Sequence, residues 1–224
     1  MAFALDLGLG ALFIGDYLLG QPIERFSRFI DLDGELNLPT WYASVLWFGV
    51  AALMWIVAKR LIHRSRPTSW VLLLLPTVFL LFSLDEVASL HEGLGGVLDR
   101  LVLDVPRSLT VLPRTGVLAL VFGIPFIAAM VLLFVAVRPF LGTFRRPFNA
   151  ITLGMALVLA GAFAVELVSN LVEPSSMMDG LQVLLEEELE LVGATLILWG
   201  TFELGRDSGA FARAFGVQTS SRAG

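Results

Sequence analysis

The sequence contains no cysteine, which excludes disulfides, thiolate metal sites and cysteine nucleophiles. It has only two histidines, His63 and His91, one histidine short of a three-histidine zinc centre of the membrane ceramidase kind. No basic residue precedes Arg25, so the apolar run at 3–19 lacks the basic start of a secretory signal and reads as part of the protein. Charge is scarce at 16% of residues, and the formal net charge of -5 with no basic stripe excludes a nucleic-acid partner. No nucleotide cofactor is expected.

What is abundant is apolar sequence. Hydrophobic residues make up 57% of the 224, and the mean hydropathy is +0.83, beyond what a water-soluble chain of this length can cover with polar surface. The charges fall in clusters between long apolar runs. Five of those runs, at about 41–57, 70–90, 117–137, 151–172 and 181–202, reach or approach the roughly 20 helical residues needed for about 30 Å of hydrocarbon. Lipid offers no partner to open backbone groups, so the runs must be helices. A sixth, at 3–19, is short and carries Asp6 and Asp16; a span and a re-entrant or interfacial helix fit it equally. The expectation is an all-α, polytopic transmembrane bundle forming one integral membrane domain over 1–224.

Basic residues set the orientation. Lys59, Arg60, Arg64 and Arg66, then Arg138, Arg145 and Arg146, then Arg206, Arg213 and Arg222 fall on one side if the five runs cross alternately. That side is cytoplasmic by the positive-inside rule, which puts the C-terminus in the cytoplasm of a cell whose plasma membrane holds the chain. The opposite side receives Arg25, Arg28, Arg100, Arg107 and Arg114 among acids. There, 93–114 reads as an amphipathic interfacial helix. Asp31-Leu32-Asp33-Gly34-Glu35 starts like a calcium loop but has Tyr42 where the twelfth-position glutamate belongs, so it reads as a solvated turn.

Ionisable groups inside apolar helices are expensive and point to function. The second run ends in Asp85-Glu86 and then His91-Glu92, the fourth carries Glu166, and the fifth opens with Glu186-Glu187-Glu188-Leu189-Glu190. At about 1.5 Å of rise per residue, Asp85 and Glu166 each lie roughly 22 Å from the cytoplasmic boundary of their helices. The acids of the fifth run fall in its outer third. Three helices thus bring carboxylates to one height. Ionised together they repel, so they must be protonated, meet water or share a cation. Carboxylates plus one imidazole suit iron, manganese or zinc, with Asp85, Glu86, His91, Glu92, Glu166, Glu187 and Glu190 as ligand candidates. The Glu-x-x-His element of bundle di-metal sites is absent, since Glu86 and His91 are five apart. Bis-histidine haem is excluded because His63 and His91 fall on opposite sides. Lys59 and Arg66-Pro67 imitate the first phosphatidic acid phosphatase motif, but that family's later motifs do not follow.

The segments Asp31–Glu35 with Pro39-Thr40-Trp41, Ser83–Glu86 with His91-Glu92, and 186–193 resemble a family of uncharacterised bacterial multi-pass membrane proteins. The resemblance implies a bacterial inner-membrane location and no particular activity. Three functions stay open: a metal-dependent enzyme acting on membrane lipid or another hydrophobic substrate; a proton- or cation-coupled transporter; and a structural subunit serving a membrane-protein partner or a homo-oligomer.

Overall fold

The computed structural model describes residues 1–62, 67–89, 117–169 and 176–214, and among them every regular element is helical. The helices are α1 (Ala2–Leu18), α2 (Glu24–Ile30), α3 (Leu38–Ile62), α4 (Leu74–Ala88), α5 (Val117–Leu141), α6 (Arg145–Leu159), α7 (Glu166–Ser169), α8 (Ser176–Asp207) and α9 (Ala210–Ala214). A 3-10 segment, Pro67–Leu73, leads into α4, and a π-helical segment, Ala160–Val165, joins α6 to α7.

Local chemistry sets the helix ends. Asn37 caps α3: its Oδ1 accepts from the Thr40 backbone N–H at 3.2 Å and from the Thr40 hydroxyl at 2.9 Å. Pro39 occupies the first turn, where no backbone donor is needed, and Lys59 and Arg60 complement the dipole in the last turn. α4 ends where Ser89 turns left-handed at φ 45°, its N–H bonding the Asp85 carbonyl at 2.7 Å. The turn at 31–37 is closed by Asn37 Nδ2, which donates to the Asp31 carbonyl at 2.6 Å.

Among the described residues four helices, not five, are long and apolar enough to cross a membrane: Leu38–Ile62, Ser69–Ala88, Gly123–Leu141 and Arg145–Val165. The fifth expected run lies within α8, which is helical over 32 residues. Its apolar stretch is bounded by Glu190 and Glu203, and the dozen residues between them rise only about 18 Å. α1, at 17 residues, rises about 25 Å and is not among the four. The amphipathic expectation for 93–114 lies outside the described residues.

Large apolar side chains cover the outer faces, among them Trp41, Val45, Phe48, Trp55, Val131, Leu132, Val135, Trp199 and Phe202. Apolar exposure on this scale suits hydrocarbon as the surrounding solvent. Inside, α3 and α4 are joined by reciprocal serine bonds, Ser44 Oγ to the Ser83 carbonyl at 2.8 Å and Ser83 Oγ to the Ser44 carbonyl at 2.9 Å. An aromatic ladder runs from Trp47 through Phe82 and Phe126 to Phe163, linking α3, α4, α5 and the π segment. α6 and α8 run antiparallel and approach closely at their glycines, because Gly154 meets Gly193 and Gly200 meets Pro147 and Ile151. α1 also runs antiparallel to α8, with Tyr17 over Gly180 and Gly10 over Glu188. The end of the bundle where α3 begins and α4 ends is acidic. The end that carries Lys59, Arg60, Arg138, Arg145, Arg146 and Arg206 is basic.

Candidate functional site

Two acidic groups flank α8 near the acidic end. Successive residues of a helix step by about 100°, so the run Glu186–Glu190 fans its carboxylates toward different neighbours. Glu187 feels charges from two other elements, α4 and the turn before α3. It lies within electrostatic reach of Glu190 and Glu186 on its own helix, Glu86 on α4 and Asp33 in the turn. Asp33 lies outside the spans and keeps exposed surface. Loss of water to the surrounding chain nonetheless pushes its carboxyl above the ordinary value, and the Asp31 charge adds to the push. Glu190 packs its Cγ where a Cβ on Gly161 would stand, so the π segment brings α6 directly against this part of α8. Local π geometry recurs at functional positions in helical proteins.

Of the candidates read from the sequence, Glu187 feels the charges of Glu190 and Glu86, with Asp85 beside Glu86 on α4. Each of these residues is partly buried. Glu166 opens α7, five residues beyond Gly161 and thus about 7 Å further along the antiparallel pair. Its side chain, together with His91 and Glu92, lies outside the described part of the structure. Among the described residues no group of three or more histidine, aspartate or glutamate side chains has the geometry to hold a metal ion.

The second group lies on the other side of α8 and was not foreseen. Asp6 of α1 is fully buried, and its Oδ1 accepts the Tyr42 hydroxyl of α3 at 2.6 Å. Glu188 feels the Asp6 charge, and its carboxylate occupies the space left by the missing side chain of Gly10. Thr195, seven residues along the same face of α8, is buried beside Asp6 and Tyr42. The sequence signal was an acid in an apolar helix with glycine four residues on, a pair that shares one face.

A shallow apolar recess lined by Ile14, Tyr17, Leu18, Met177 and Leu181 lies between the C-terminal part of α1 and the start of α8. No curated protein and no solved structure matches the chain significantly. A family model does match, over residues 1–204, and that length takes in all the elements that build both acidic groups. The chain therefore belongs to the family described as a domain of unknown function, DUF8692.

Proposed function

We propose that this protein is a metal-dependent enzyme of the bacterial plasma membrane that acts on a lipid or other hydrophobic substrate near the outer leaflet. The observation that carries the reading is the surroundings of Glu187, which feels acid charges from its own helix, α4 and the turn before α3. Like charges gathered in a poorly hydrated place call for a cation. Asp85, Glu86, Glu187 and Glu190 are not by themselves arranged to hold a metal, and on this reading the bound ion draws them together with His91, Glu92 and Glu166, a donor set suited to iron, manganese or zinc. A carboxylate left off the metal, or His91, serves as general base. The apolar recess beside the start of α8 suits a hydrocarbon chain.

The transporter reading is weaker on one observation. Toward the basic end the buried side chains include Met54, Val57, Val137, Ile151, Ile197 and Leu204, a mostly apolar filling in which Thr201 is a buried polar residue.

Metal analysis of the detergent-purified chain tests the site. About one equivalent of iron, manganese or zinc is expected, and Glu187→Gln should lose most of it. Folded wild-type protein that is free of transition metal after growth in metal-replete medium would overturn the reading. The orientation has its own test. Reporter fusions after Arg66 and Arg206 should read cytoplasmic, and one after Arg107 external. A cytoplasmic signal at Arg107 would move the acidic end to the wrong leaflet.

A further inference from the structure

The second acidic group contains more bare oxygen than its own residues can satisfy. Asp6 Oδ2, both carboxylate oxygens of Glu188 and the Thr195 hydroxyl are all buried and none makes a hydrogen bond of ordinary length and angle, although Thr195 lies beside Asp6 and Tyr42 and Glu188 beside the Gly10 backbone. Asp6 is 0% and Thr195 3% exposed, so bulk water does not supply the missing partners. The positive group that Asp6 feels is the exposed Met1 amine, the weakest of the influences on that carboxylate. An unpaired buried polar atom costs about 1–3 kcal/mol, more for a charged one, so four of them on two facing helices are not neutral filling.

From this geometry we infer a calcium-binding site enclosed by α1, α3 and α8, with Asp6, Glu188 and Thr195 as side-chain ligands and Tyr42 holding Asp6 in place. Two carboxylates neutralise one divalent cation. Oxygen donors without nitrogen or sulfur select a hard ion over iron or zinc. Calcium accepts irregular oxygen cages at 2.3–2.6 Å and completes its shell with water or backbone carbonyls, whereas magnesium demands near-ideal octahedral geometry that these side chains do not supply. Gly10 belongs to the design, because any Cβ at that position would collide with the Glu188 carboxylate. The site is separate from the one around Glu187, since residues 187 and 188 point about 100° apart on α8.

Calorimetric titration of the purified full chain with calcium chloride, in detergent and with transition metal held constant, tests the inference. Wild type should bind about one calcium ion at this site. Asp6→Asn and Glu188→Gln should each weaken binding at least about tenfold, and the double variant should abolish it. Gly10→Ala should also weaken it, although it leaves both charges in place. Glu187→Gln should bind calcium like wild type while losing its transition metal, so failure at one site is distinguishable from failure at the other. Each variant's thermal melt, with and without calcium, provides a second reading independent of how well it folds. Wild type should gain stability with calcium and Glu188→Gln should not. Absence of calcium binding by wild type at any pH, the result if Asp6 and Glu188 merely hold protons, would overturn the inference. So would unchanged calcium affinity in Asp6→Asn and Glu188→Gln.

Discussion

Leucine in place of Gly154 or Gly193 is expected to lower stability by about 3 kcal/mol or more, among the largest single-residue effects in the chain. A Cβ at Gly154 would stand 2.6 Å from the Gly193 carbonyl oxygen and 2.7 Å from Ile197 Cγ1. A Cβ at Gly193 would stand 2.7 Å from the Gly154 carbonyl oxygen. The obstacle on each side is backbone, which cannot rotate away as a flexible side chain can. The only relief is to part α6 from α8, and with them the surfaces buried at Ile151, Met155 and Val158. In lipid this loss is not offset by a general hydrophobic attraction between helices, because association there rests on close van der Waals contact. Gly8 and Gly15 provide the control, since a Cβ at either meets nothing within 4 Å. Alanine at those positions should be neutral or stabilising by up to about 1 kcal/mol through helix propensity. Denaturation in mixed micelles compares the four variants. Leucine variants that melt with the parent would mean that α6 and α8 are not packed backbone to backbone.

These contacts also show what a sequence can and cannot reveal about such a bundle. Glycines spaced by seven, Gly154 with Gly161 and Gly193 with Gly200, line the α6–α8 contact. Four of the helical runs follow from hydropathy, because the bilayer fixes length and backbone satisfaction. Counting residues along α4 and α8 brings Glu86 and Glu187 to one level, since rise per residue is nearly constant. Facing is harder. In the run Glu186–Glu190 the four acids fan over about 200° of the helix, so the sequence alone does not say that Glu188 meets α1 while Glu187 feels α4. That choice depends on where α1 docks, and Gly10 and Gly180, which seat it, resemble ordinary helix glycines until their neighbours are known. The fifth span was overcounted for a related reason. Apolar residues at 181–185 and 191–202 look continuous, but the acids between them sit where several elements converge rather than in lipid.

Stripping the transition metal from purified protein is the second large effect expected. A cation shared by Glu187 and the acids around it cancels their repulsion, and its removal leaves those charges facing one another in a poorly hydrated place. A ligand that binds only the folded chain stabilises it by RT ln(1 + [L]/Kd), about 2.7 kcal/mol at a hundredfold excess over Kd. A chelator selective for transition metals should therefore lower the melting temperature, and readdition should restore it in proportion to occupancy. Calcium is held at saturation throughout, so that the Asp6–Glu188 site stays loaded and contributes no change. Substituting Glu86, His91 or Glu166 by alanine should abolish the metal-dependent part of the shift. Glu187→Gln should do the same and, once stripped, should melt above stripped wild type because one repelling charge is gone. Acids that served only as helix ends at the water interface would give a different pattern. Chelation would leave the melt unchanged, and each alanine would cost less than about 1 kcal/mol. A flat chelator response in protein shown to be folded and metal-free would remove both the metal site and the enzyme built on it.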